Sequence, residues 1–415
     1  MTDFLEYEVK LCIESSLQNE NFTEFKIDFV GTTGKTEGYL ADIVYAKVTG
    51  SDRYNKSKQV DLFIKLGKRN KELRKNMPIM KNINEREIYF YSEVLPAFEK
   101  FLEPRETSIE FDIFPKCYTT FLSNEMEMLI LEDLRRKGYT LPAGIDAMNL
   151  KHLHLVLKTY AKIHALSFAL RDQNRSAFEK LADEYLPINQ EFNMCMRSFR
   201  NCGTRCKKTL ADVGRVDLCE KFDAIFKNYA EFEVEEILKD VPKEAVIIHC
   251  DSHINNFLFL YENGNAENPT EVAIIDWQLS ELHSPILDVS FFLLSGIPLE
   301  NLPQLNELLR YYHSQLETCL RDLGSNINKI FPFHRLLDHW KRYSNYGFFW
   351  AITYTKFFFC DVEDAPSFED VKKGYDLSDL ISDMKVNNLE AYSERIVEIT
   401  DHHFKYLQFL DLNRA

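Results

Sequence analysis

The sequence predicts an α+β protein of two lobes: a small N-terminal antiparallel sheet lobe with a helix, and a larger, mainly helical C-terminal lobe carrying a β-hairpin. Three observations lead there. Up to about residue 131, apolar runs of strand length alternate with glycine-containing and polar turns. From about residue 150, apolar residues recur at helical spacing, as in Leu153, Val156, Leu157 and Tyr160. One stretch, AVIIHCDSHINNFLFLYENGNAENPTEVAIIDWQLSELHSPILD from Ala245 to Asp288, interrupts the helical text.

In chain order, Asp3 to Leu17 reads as a first helix, with Phe4, Val9, Leu11, Cys12 and Leu17 on one face. Residues 25–50 then read as two strands joined by a turn holding Gly31, Gly34 and Gly38. Backbone amides in such a turn can cover phosphates, although the spacing matches neither common phosphate-loop pattern and an ordinary hairpin is the competing reading. VDLFIKL, Val60 to Leu66, is a strand with Lys65 near its end. A lysine there reaches a phosphate if a carboxylate holds it, and the next helix, NINEREIYFYSEVLPAF, offers Glu85 and Glu87. Glu87 is the better partner because it lies on or beside the stripe of Ile83, Tyr91 and Val94.

FDIFPKCYTT and MEMLILEDLRRKGY read as two further strands ending at Glu132 and Asp133. A strand that stops in Leu131, Glu132, Asp133 and Leu134 suits a connector between lobes whose backbone groups bond an adenine edge. The boundaries follow: an N-terminal nucleotide-binding lobe over 1–131, a hinge over 132–135, and a catalytic and substrate-binding lobe over 136–415. His164, in a helical apolar stripe, reads as a hydrogen-bonded core residue. Residues 175–240 and the segments after Asp288 read as helices. The aromatic cluster from Tyr343 to Phe359 is core, with a minority of rings lining a pocket.

The chemistry sits in the interrupting stretch. One apolar run leads into His249, Asp251 and Asn256, and a second, Val272 to Ile275, delivers Asp276. Phosphoryl transfer needs positioning and charge neutralisation. Asp251 can take a proton from an attacking hydroxyl, while Asn256 and Asp276 offer magnesium hard oxygen ligands. H-x-D-x-x-x-x-N followed by I-D at this distance is a specific pattern.

Composition sets outer limits. A net charge of −15, from 50 basic and 65 acidic side chains, disfavours a nucleic-acid partner. No apolar run is long enough to span a bilayer and the N-terminus does not read as a signal peptide, so a cytoplasmic protein is expected. Nine scattered cysteines read as reduced thiols, and Cys202 with Cys206 lacks the second pair a zinc site needs. The sequons at Asn21, Asn55 and Asn174 carry no meaning without secretion.

HCDSHINN, IIDWQ, SPILD, LFIKL, EREIYFY, LILEDL and AKIHALS together resemble the ecdysteroid-kinase-like family, also called CHK kinase-like. That family lies within the group of aminoglycoside phosphotransferases and choline kinases, which share the protein-kinase fold. The resemblance implies a protein-kinase-like two-lobe fold and transfer of the γ-phosphate of ATP, with Mg2+, to an alcohol. An ecdysteroid, a similar steroid or a hydroxylated xenobiotic is the implied small-molecule acceptor. A choline- or aminoglycoside-type kinase is the enzymatic alternative, and a catalytically silent pseudokinase the alternative from another class. By the resemblance Asp251 is the base, His249 braces its loop, Asn256 and Asp276 hold magnesium, and Lys65 binds phosphate with Glu87 as ion-pair partner. Residues Leu131 to Leu134 become the adenine hinge, Gly38 belongs to the nucleotide loop, and Asp288 anchors the catalytic loop. The family usually has Gly between the His and the Asp, where this chain has Cys250, a candidate for thiol-sensitive inhibition.

Overall fold

The computed structural model describes residues 3–32, 41–76, 79–107, 109, 113–123, 126–185, 192–226, 230–360 and 384–412. The turn holding Gly34 and Gly38 lies outside them. Helix α1 (Asp3–Ser16) precedes strands β1 (Phe22–Thr32), β2 (Ala41–Asp52) and β3 (Ser57–Gly67). Strands β4 (Cys117–Leu122) and β5 (Glu127–Glu132) complete an antiparallel sheet of order β1-β2-β3-β5-β4.

Strand alternation gives this sheet two faces with different duties. Val44, Ala46 and Val48 of β2, Leu62, Ile64 and Leu66 of β3, and Met128 and Ile130 of β5 pack with Val9, Ile13 and Leu17 at the first helix. The residues between them, Ile43 and Tyr45, Phe63 and Lys65, and Leu129 and Leu131, are paired across the same strands and face the other way. Lys65 is thereby carried on the face turned from α1.

On that side run α2 (Lys71–Asn76), α3 (Ile79–Tyr89), a π turn (Phe90–Val94) and α4 (Leu95–Leu102). The widened turn has a local cause: Pro96 has no N–H to return to the carbonyl four residues back, so the helix loosens just before it.

The remainder is mainly helical, with α5 (Leu150–Gln173), α6 (Arg175–Asp183), α7 (Phe192–Asp212), α8 (Val216–Ile225) and α9 (Ala230–Lys239) before the interrupting strands. After them come α10 (Ile286–Gly296), α11 (Leu305–Asp322), α12 (Ile327–Ile330), α13 (Phe333–Phe358) and α14 (Leu389–Leu412). Helix α10 is buried at every position, as its run ILDVSFFLLSG dictates, and packs on α13. Close approach occurs at Gly347, where a Cβ would lie 2.3 Å from the Ser290 carbonyl carbon.

The strands of the interrupting stretch form two separate pairs. The apolar run before His249 does not pair with the run before Asp276. Strand β6 (Val246–Ile248) pairs with β9 (Glu281–His283), and the hairpin is made by β7 (Phe257–Tyr261) and β8 (Pro269–Ile274). FLFLY, immediately after Asn256, is the first strand of that hairpin. Among the described residues no helix is long and apolar enough to cross a membrane, and every described cysteine is free.

Candidate active site

Strand β6 ends at Ile248 and hands the chain to a loop whose shape is fixed by four donors converging on one buried carboxylate. Asp288, in the first turn of α10, accepts the His249 N–H at 2.8 Å, the Cys250 N–H at 2.7 Å and the Ser252 hydroxyl at 3.0 Å. His164 on α5 lies 3.3 Å from the same carboxylate and is bonded through its other ring nitrogen to the Tyr312 hydroxyl. All of Asp288 is buried, so these donors satisfy its oxygens in place of water.

His249 ties this loop to the one before Asp276. A carbonyl can only accept, so His249 Nε2–H donates to Ile275 O at 2.9 Å, leaving Nδ1 to accept the Asp251 N–H at 3.3 Å. Asn256 makes the parallel connection: its amide Nδ2 donates to Asp251 O at 2.8 Å, and its own carbonyl accepts the Ile275 N–H at 3.0 Å. Asn256 Nδ2 also lies 3.2 Å from His253 Nε2. With Nδ2 turned to these partners, the Asn256 side-chain oxygen is directed elsewhere.

Cys250 and Asp276 sit at φ 66° and 65°. The other described non-glycine residues with positive φ are Asn21, Asn55 and Asn263, a residue type that tolerates this region. Asp shares that tolerance, which leaves Cys250 as the residue whose backbone is strained. Cys250 is held by Tyr346, whose hydroxyl donates to Cys250 O at 2.8 Å and lies 3.0 Å from its Sγ. The thiol is fully buried, and burial pushes it well above the ordinary range. That environment opposes the thiol-sensitive inhibition expected from its position next to the base.

The Asp251 carboxylate is almost fully buried. Burial alone would push it up, but His253, with Nε2 3.6 Å from Oδ1, together with His249 and Asn256, holds it below the ordinary aspartate value. It is therefore ionised at neutral pH and able to accept a proton.

Lys65 reaches this loop from the sheet. Its ammonium is 2.6 Å from Glu87 Oε2 on α3, 2.5 Å from Asp276 Oδ1 and 3.4 Å from Gln278 Oε1. Burial would lower the lysine, but the Asp276 and Glu87 charges outweigh it and raise it above the ordinary value. Burial drives the Glu87 carboxyl upward, as two carboxylates sharing one ammonium in a dry site requires, while the Trp277 N–H and Lys65 stabilise its ionised form. Glu85, the competing partner, instead faces Lys81 at 3.4 Å.

The hinge is more occupied than expected. The Glu132 N–H donates to Lys116 O at 2.9 Å and the Asp133 N–H to Asp61 O at 3.0 Å, so neither is available to an adenine edge. The Asp133 side chain caps the following turn at Arg135 N. Beside this turn opens a cavity of about 320 Å³ bounded by Val30, Tyr45, Asp133, Arg135 and Arg136, with the Arg135 guanidinium 3.9 Å over the Tyr45 ring.

Lys65 thus contacts both Glu87 and Asp276, and Asp251, Asn256 and His249 belong to one hydrogen-bonded loop that Asp288 holds from α10. Gly38 falls outside the described residues. Sequence reasoning missed His253, Gln278, and Arg86, whose Nη1 donates to Ser280 O at 3.1 Å and pairs with Glu281 at 3.0 Å. The second histidine in HCDSHINN was the available signal for the first of these.

The family model described as ecdysteroid kinase-like matches residues 35–325, which contain every one of these positions. No curated protein matches the chain.

Proposed function

Because the chain belongs to the ecdysteroid kinase-like family, we propose that it is an ATP-dependent small-molecule kinase that phosphorylates an alcohol, an ecdysteroid or similar steroid or xenobiotic, in the cytoplasm. The family supports a small-molecule, kinase-like protein in general. The observation that carries the proposal further is the Lys65 ammonium held between Glu87 on α3 and Asp276 in the loop after β8.

The donor set fits magnesium. Asn256 and Asp276 offer hard oxygen atoms, and Mg2+ usually takes one or two protein ligands with waters and phosphate oxygens for the rest. When bound, Mg-ATP supplies the transferable phosphoryl group with its charge partly neutralised.

The protein's own residues do the remainder. Lys65, fixed by Glu87, presents a charge that stays on at neutral pH to phosphate oxygens. Asp251 orients the acceptor hydroxyl and takes its proton. Asp288 and His249 keep the Asp251 backbone from moving relative to Asp276.

The test is nucleotide binding read by melting temperature, since any ligand of the native state raises it. ATP should stabilise the wild type only with magnesium present, and Lys65→Met should lose most of that shift. A wild type indifferent to Mg-ATP would reject the proposal.

A further inference from the structure

The structure assigns Arg86 a positioning role in the reaction proposed above: through Ser280 and Glu281 it fixes helix α3, and with it Glu87, relative to the strand pair that delivers Asp251. This rests on the kinase reading and adds to it the residue that joins the two halves of the site.

Arg86 and Glu87 are neighbours on α3, and both are buried although both carry charge. Successive helical residues point about 100° apart, so the two leave the helix in different directions. Glu87 reaches Lys65 on β3 at 2.6 Å, and Arg86 reaches the segment after Asp276. There its Nη1 donates to Ser280 O at 3.1 Å and to Glu281 Oε2 at 3.0 Å. The Glu281 carboxylate is itself oriented, because its other oxygen accepts the Leu282 N–H at 3.1 Å.

These acceptors stand where they can set the base. Glu281 opens β9 and is the register partner of Ile248, the last residue of β6. His249 follows directly, and Asp251 two residues after it. Ser280 comes four residues after Asp276. One side chain thus joins the helix bearing Glu87 to the strand before Asp251 and to the loop after Asp276.

What the contact supplies is geometry more than stability. A buried ion pair adds little over a well-packed apolar contact of the same volume, whereas losing one partner leaves a buried charge uncompensated. Apolar packing sets no direction, but bonds to a carbonyl and a carboxylate have a preferred length and angle. Glu87 is thereby held facing Lys65, and a site ordered in advance binds more tightly than one its ligand must order.

The test is the dissociation constant of Mg-ATP for the full chain, taken by titration calorimetry at a temperature where every variant is folded. A packing role alone would lower the melting temperature and leave this constant unchanged. Arg86→Met should weaken Mg-ATP binding about tenfold. Because Arg86 acts through Glu87, the same substitution should cost less than about twofold when Glu87→Gln is already in place. Glu281→Gln keeps the shape and removes the charge, and should weaken binding in the same Glu87-dependent way. It decides the matter if Arg86→Met does not fold.

Wild-type affinity in Arg86→Met, or an equal loss with and without Glu87→Gln, would overturn the assignment and leave the kinase reading standing. A wild type that does not bind Mg-ATP would overturn both.

Discussion

Phe90 and Trp277 stack face to face, with centroids 3.9 Å apart and planes 5° apart. Phe90 follows Glu87 by three residues in the same continuous helical run, and Trp277 follows Asp276 by one. The pair therefore fixes, through fully buried rings, the separation of the two carboxylates that hold Lys65. Trp277 is also pinned through its indole N–H to Ile274 O at 3.1 Å.

Phe90→Ala should cost about 3–5 kcal/mol of stability, as truncation of a buried phenylalanine does. Its more telling effect is on nucleotide affinity, because Glu87 and Asp276 lose their common brace. Phe90→Leu should recover much of the melting temperature while nucleotide affinity stays reduced. Equal recovery of both would make the stack a packing contact alone.

Asp288→Asn replaces one acceptor oxygen with an amide donor where the His249 and Cys250 N–H groups and the Ser252 hydroxyl already donate. A buried donor left without an acceptor costs about 1–3 kcal/mol, so chemical denaturation should show a loss of at least that order. Turnover should fall further than stability explains, because the backbone carrying Asp251 is no longer fixed.

Cys250 should resist alkylation in the native protein. Its thiol is buried and pushed above the ordinary range, whereas thiolate is the reactive form. Mass spectrometry after iodoacetamide treatment should find Cys250 unmodified until denaturant is added. Cys250→Gly, which suits φ 66°, should fold and keep nucleotide binding.

Acid sensitivity should trace in part to His283. Burial lowers its pKa to about 4, and both ring nitrogens are engaged in the neutral form, Nε2–H with Ile237 O and Nδ1 with the Ser284 N–H. The unfolded chain binds this proton near the ordinary value of about 6.5, so stability from neutral His283 is present above that value and is lost as pH falls towards 4. The shift corresponds to about 3 kcal/mol at most. His283→Asn should flatten the stability profile across that window, and an unchanged slope would assign the acid loss to other groups.

Much of this was legible in the sequence, and the reason differs by residue. Asp251, Asn256 and Asp276 lie in one stretch with a specific spacing, and Glu87 is separated from Glu85 by helical periodicity alone. What the sequence hid is nonlocal. Nothing in VII and ELH announces that β6 pairs with β9 across the hairpin. The contact of His253 with Tyr354 joins residues about one hundred positions apart, and the engagement of the Glu132 and Asp133 N–H groups depends on Lys116 and Asp61. A position such as Cys250 shows its strain only as a dihedral angle.

In the proposed function, Asp251 takes the proton of the alcohol that receives the phosphate. The most direct measurement follows γ-phosphate label from Mg-ATP into an extract of steroid and xenobiotic alcohols, for wild type and Asp251→Asn. Removing a general base costs roughly a hundredfold or more in rate, so label should enter an alcohol with the wild type and nearly vanish with the variant while both keep their Mg-ATP melting shift. Equal labelling by the two proteins would mean that Asp251 is not the base.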